Sequence, residues 1–190
     1  ISRSILRLLK HDPLIKDIFS VKNNINNFKV ANFIIETLHK LPLLHQLMRL
    51  SPLPDLDFEK LFVKMRSFLL NNINNIELSP SLIYFLSTLS IHCFINEYIY
   101  DESKDETQLV KELEAKISQS LAQSEQPEVI QILCFASYRS LHQYDWCQKL
   151  RSLDHLGEVK TRLIQEPLEE KIIARNIPVL RKISDVVSLK

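Results

Sequence analysis

Apolar residues recur at helical spacing along most of this chain. Their i, i+3, i+4, i+7 pattern predicts main helices near 13–22, 28–40, 57–73, 80–100, 104–123, 128–142 and 168–175, within a total of about eight to ten. The stretch 80–100 is the richest. On a helical wheel Leu82, Leu86, Leu89 and Cys93 form one apolar arc, and Ile83, Tyr84, Ile91, Phe94, Ile95 and Tyr98 form a second. Two thin polar lines separate them: Ser90 with Glu97, and Ser81, Thr88 and His92 with Asn96. A helix that is apolar on two sides is packed on both, so 80–100 is expected to be the sandwiched core helix. Segment 104–123 differs. Leu109, Leu113, Ile117 and Leu121, with Val110 alongside, make a narrow stripe among charged residues. That pattern suits an outer helix covering the core, or a helix that binds a partner.

Prolines and capping residues punctuate these segments. Asp12-Pro13 and Ser79-Pro80 place a capping side chain before a proline suited to the first helical turn, and Pro127 and Pro167 are read as openings of the same kind. Leu41-Pro42 and Ser51-Pro52-Leu53-Pro54 are read as breaks, because the residue before proline is pushed out of the helical region. Ser103 followed three residues later by Glu106 fits a capping box. The pentapeptide Asn-Asn-Ile-Asn-Asn occurs at 23–27 and again at 71–75. It marks either a repeated helical hairpin or asparagine standing at left-handed helix ends where glycine would be usual.

Glycine itself is almost missing: Gly157 is the only one in 190 residues. Phosphate-cradling loops and dinucleotide turns need backbone free of Cβ, and tight primed hairpins need positive φ. The expected fold is therefore all-α: an irregular antiparallel bundle around 80–100, with stacked helical hairpins as the second architecture. Residues 1–154 are read as one helical domain with a sub-boundary near 51–56. Residues 155–190 are read as a helical connector toward a downstream domain, extended after about Pro178.

Charge narrows the partners. Lys and Arg number 24 against 23 Asp and Glu, a net charge of +1, without the basic excess of a nucleic-acid binder. Leu78 to Asn96 carries no formal charge, near the length of a membrane span, but it is interrupted by Ser79, Pro80, Ser81, Ser87, Thr88, Ser90 and His92. Its flanks are Glu77 and Glu97 rather than cations, so a buried core helix is the better reading. Cys93, Cys134 and Cys147 are odd in number and widely spaced, as expected of reduced, buried thiols in a cytoplasmic protein. The chain begins at Ile1 without a signal-peptide pattern and reads as a piece of a longer protein.

Few residues offer chemistry. His92, Cys93 and Glu97 invite a metal or nucleophile reading, as do His142 and Cys147 beside Trp146. No Cys-x-x-Cys or His-Glu-x-x-His spacing accompanies them, so neither a metal nor a catalytic residue is assigned. A thiol- or metal-dependent enzyme using Cys93 or Cys147 remains as an alternative. Glu97 is set apart because a carboxylate between two apolar arcs needs a partner: it anchors a loop or points into a cleft. Asn96, Glu97, Tyr98 and Tyr100 are the structural or interface candidates.

Two segments also carry a resemblance. Cys93-Phe94-Ile95-Asn96-Glu97-Tyr98-Ile99-Tyr100, followed by Asp101-Glu102-Ser103, resembles a helix-end motif in bacterial proteins that join tetratricopeptide-type repeats to a class I S-adenosylmethionine-dependent methyltransferase domain. Glu166-Pro167-Leu168-Glu169-Glu170-Lys171, then Ile177 to Leu180 and Ser184 to Ser188, resembles the stretch leading into that enzyme domain. The glycine-rich cofactor loop of such an enzyme is not in this chain, so no cofactor-binding residue carries over. The resemblance implies a non-catalytic helical accessory domain, with S-adenosylmethionine bound only by the parent chain. Its partners would be the downstream methyltransferase domain or another protein presented to it, with no nucleic acid and no membrane. A stand-alone helical interaction module is the alternative.

Overall fold

The computed structural model describes residues 2–176, and every regular element in them is helical. The expected extended segment after Pro178 lies outside the described residues, as do Ile177 to Leu180 and Ser184 to Ser188. In chain order the helices are α1 (Ser2–Leu9), α2 (Pro13–Val21), α3 (Phe28–His39), α4 (Pro42–Leu50), α5 (Leu56–Asn71), α6 (Pro80–Ile95), α7 (Lys104–Ala122), α8 (Val129–Ala136), α9 (Gly157–Lys160) and α10 (Glu166–Asn176). Capping fixes several starts. Asp12 accepts the Leu14 amide at 2.8 Å and Ser79 accepts the Leu82 amide at 3.2 Å, each with a proline in the first turn. Ser103 and Glu106 form a reciprocal capping box, at 3.1 and 2.9 Å.

Helix α6 is the centre of the bundle and packs against α3, α4, α8 and α9. Most of its expected polar lines are inside as well: Ser81, Thr88, Ser90, His92 and Asn96 are buried, and Glu97 alone is exposed. Helix α7 lies across α5 and α8, burying Val110, Leu113, Ile117 and Leu121. The narrow stripe thus faces the core, as an outer covering helix requires. Among the described residues, no helix is long and apolar enough to cross a membrane.

Several boundaries differ from the pattern, each for a physical reason. Helix α6 ends at Ile95, five residues before the expected limit of Tyr100, because the chain turns left-handed at Glu97 and Tyr98, with φ of 53° and 57°. Pro42 opens α4 rather than only breaking the chain, since a proline at the first helical position loses no helical hydrogen bond. Helix α8 stops at Ala136, and the expected run to 142 becomes turns, including a 3-10 turn at Leu141–Gln143. Pro127 precedes α8, whose cap is Glu128. Pro167 sits inside a continuous helical run, just after a π-helical stretch at Thr161–Gln165. Proline lacks the N–H for the usual bond four residues back, and the widened turn accommodates that loss. α1 was not expected from the sequence pattern.

The asparagines do not occupy left-handed positions. Among the described residues, the non-glycine ones with positive φ are Glu97, Tyr98 and Ser124. Asn71 and Asn72 instead donate their side-chain amides to the Ser67 and Phe68 carbonyls, both at 2.8 Å, satisfying acceptors at the end of α5. Asn27 caps the start of α3 by accepting the Val30 amide at 3.0 Å. The two pentapeptides therefore perform different tasks.

Candidate functional site

The junction between α6 and α7 gathers two of the four residues singled out in the sequence, Asn96 and Tyr100. His92, on the last turn of α6, contacts the Met48 carbonyl through Nδ1 at 2.9 Å. A carbonyl only accepts, so Nδ1 carries the proton and Nε2 is left as an acceptor. The Tyr100 hydroxyl donates to that Nε2 at 2.8 Å, and the Asn96 amide lies 3.0 Å from Nε2 and 3.2 Å from the Tyr100 oxygen. Burial lowers the His92 pKa to about 4, and the imidazole is neutral at physiological pH. Burial likewise raises the Tyr100 phenol above its ordinary range. Asn96 and Tyr100 thus belong to a closed, internally satisfied polar cluster.

Glu97 and Tyr98 follow different paths. Glu97 is exposed, neither an anchor nor in a cleft, because α6 has already ended and the left-handed turn carries it outward. Tyr98 turns back toward the core, its ring edge-on to Phe94 at 6.5 Å, and burial raises its phenol.

Beneath this junction lies Arg66, a fully buried cation on α5. Its guanidinium donates to the carbonyls of Ser137 at 3.2 Å, Asp101 at 2.7 Å and Tyr100 at 3.5 Å. It also lies 4.0 Å over the Tyr138 ring, a cation–π arrangement. The Tyr138 hydroxyl donates to Glu106 at 2.7 Å. Burial opposes ionisation of Glu106, but bonds from Ser103 and Tyr138 outweigh it and lower its pKa. Arg139 forms a two-pronged pair with Glu102 at 2.7 Å, which lowers the Glu102 pKa. Arg66 escaped the sequence reading. Its signal was positional: it stands four residues after Phe62 and eight after Phe58, on the apolar face of α5.

The cysteines are free and buried. Burial pushes the Cys93 and Cys134 thiols up to about 12 and raises Cys147 as well, so the protonated thiol dominates at neutral pH. His142 is within 2.8 Å of the Ser140 hydroxyl, and burial lowers its pKa. Among the described residues, no three of His, Cys, Asp and Glu gather as a metal-binding group.

Two of the concave features on the surface have mainly apolar linings. One, of about 430 Å³, lies between α4, α6 and the start of α9, lined by Ile83, Tyr84, Ser87, Leu156 and Val159 with Arg49 and Glu158. Arg49 lies 4.8 Å over the Tyr84 ring, donates to the Thr88 hydroxyl at 3.0 and 3.2 Å, and pairs with Glu158 at 2.8 Å. Behind it, His45 is held by the Leu38 carbonyl and Thr88, its pKa lowered to about 4 by burial and by the Arg49 charge. The second feature, about 340 Å³, runs along α10 beside Ile164, Leu168 and Ile172. The first had no local sequence signal, because it joins elements distant in the chain, whereas the second follows the four-residue spacing of Ile164, Leu168 and Ile172.

Comparison of the chain with protein-family models, with curated proteins and with solved structures gives no match.

Proposed function

We propose that this chain is a helical accessory module that binds a companion protein domain and carries out no chemistry of its own. The observation that carries this reading is the surface of α10. Ile172 and Ile173 are adjacent and 59% and 60% exposed, and Ile172 borders the groove formed with Ile164 and Leu168. Contiguous exposed apolar surface beside a groove is the usual mark of an interaction site. His92, Asn96 and Tyr100 at the α6–α7 junction bond to one another, which fits a scaffold. The resemblance of Cys93 to Ser103 and of Glu166 to Lys171 names the companion class: an S-adenosylmethionine-dependent methyltransferase domain.

Two measurements test this. Thermal denaturation with S-adenosylmethionine is run on this chain and on the natural protein extended past Lys190, since a ligand that binds only the folded state raises its stability. A shift in the extended protein alone is expected. A shift in the short chain overturns the accessory reading, and no shift in either removes the methyltransferase companion. Calorimetric titration of the chain with the separately prepared downstream domain then locates the contact. Replacing Ile172 and Ile173 together by Asp should weaken binding at least roughly tenfold, given the worth of a buried isoleucine. Unchanged affinity would move the interface away from α10.

A further inference from the structure

We infer that the cleft between α4, α6 and α9 is a binding site for a small monocarboxylate with an apolar body, such as a medium-chain alkanoate. This goes beyond the partner-binding reading and stands without it. The cleft's volume of about 430 Å³ is of the size that holds a small organic ligand. Its walls are apolar, supplied by Pro80, Ile83, Tyr84, Leu156 and Val159. Among them is Ser87, only 6% exposed, whose Oγ has no hydrogen-bond partner among the described residues. That oxygen is itself closed to solvent, so it adds no polar surface to the cleft wall.

The charge at the cleft selects the sign of the ligand. Arg49 and Arg162 share a single carboxylate: Glu158 lies 2.8 Å from one guanidinium and 3.7 Å from the other. Two cations against one anion leave a local excess of one positive charge. Arg49 is also held in place, stacked on Tyr84 and bonded to Thr88. Of its five N–H groups, two point to Thr88 and one to Glu158, which leaves donors for a second carboxylate. An apolar tail in the cleft and a carboxylate beside Arg49 therefore satisfy both halves of the site.

The probe is sodium octanoate, with octan-1-ol and octylamine as ligands of the same body and different charge, titrated by calorimetry into the intact chain. Octanoate should bind saturably with one site, and octanol and octylamine at least about tenfold more weakly, the ratio expected for a hydrogen-bonded charge. Glu158→Gln should tighten octanoate about tenfold while leaving octanol unchanged, because it removes the carboxylate that competes for Arg49. Ser87→Leu fills the cleft and should abolish octanoate binding. Its melting temperature shows whether the fold is retained, and Ile83→Trp fills the same space from another position should Ser87→Leu unfold. Equal affinity for octanoate and octanol overturns the inference, as does absence of binding. So does octanoate binding that survives a folded cleft-filling variant.

Discussion

The ends of α6 and α7 share one backbone solution and differ in what secures it. Each closes with the paired bonds of a Schellman motif. At α6 the Glu97 amide bonds to Phe94 and the Tyr98 amide to Cys93, at 3.0 and 2.9 Å; at α7 Ser124 bonds to Leu121 and Glu125 to Ser120, at 3.2 and 2.9 Å. Each places a non-glycine residue in the left-handed region, Glu97 at φ 53° and Ser124 at φ 63°. After α7 the strain stops there, and the exposed Gln126 side chain ties the loop to Lys149, Arg151 and Ser152. After α6 a second left-handed residue follows, Tyr98 at φ 57°, and the chain re-enters the core under Arg66. Backbone strain of about 1–2 kcal/mol per residue persists where tertiary contacts over-determine the conformation. The α6 end has a buried cation for this, and the α7 end has a surface amide.

The largest expected effect breaks the clamp at the α6 end. Arg66→Ala leaves the carbonyls of Tyr100, Asp101 and Ser137 without their donor and opens a cavity under Tyr138. Urea denaturation should show a loss of about 3–5 kcal/mol. Arg66→Lys should recover only part of it, because an ammonium cannot reproduce the planar fork. Gln126→Ala, the matching change at the α7 end, should cost no more than about 1 kcal/mol. Similar losses at the two sites would erase the distinction between them.

Acid should act on the α6 side next. His92, in the α6 junction, and His45, behind Arg49, both have pKa values lowered from 6.5 to about 4 by burial. Between those values the unfolded chain binds protons that the folded chain refuses. Stability is therefore unaffected by these groups above about pH 6.5 and falls as pH drops toward 4, by roughly 3 kcal/mol for each histidine. In His92→Gln the slope of stability against pH across that window should become shallower. A slope unchanged by the substitution would mean that His92 titrates normally in the folded state.

The sequence carried the framework more clearly than the joints. Asp12, Ser79 and Ser103 announced helix starts because capping is local chemistry, readable within four residues. The apolar residues around 80–95 and the narrow stripe of α7 announced an inner and an outer helix. The end of α6 was hidden for two reasons. Apolar residues continue through Tyr98 and Ile99 at helical spacing, and no glycine marks the left-handed turn. What ends the helix is a tertiary competitor, since Arg66 draws the carbonyls of Tyr100 and Asp101 to itself. The same cation takes the Ser137 carbonyl just past the early end of α8. Asn96 and Tyr100 were found as members of a cluster, but their partners His92 and Met48 and the Arg66 beneath them come from three different helices.

The smallest effects use glycine to compare the two turns directly. Glu97→Gly and Ser124→Gly remove the Cβ at left-handed positions, so each should stabilise the protein by about 1 kcal/mol. For a chain of this size that is a rise of about 2–4 °C in melting temperature. Tyr98→Gly removes the same strain but also a side chain packed on Phe94, and should lose stability instead. The native glycine supplies the converse. A Cβ added at Gly157 meets nothing within 4 Å, and Gly157 does not have positive φ. Gly157→Ala should therefore gain about 0.4–1 kcal/mol by restricting the unfolded chain. If all three substitutions stabilise additively, the one glycine in this protein lies where its conformational freedom is unused, while the turns that call for glycine are made by Glu97 and Ser124. A gain at Ser124 but none at Glu97 would instead show that the Arg66-held junction has relaxed its own strain, and the two helix ends would differ in backbone energy as well as in what secures them.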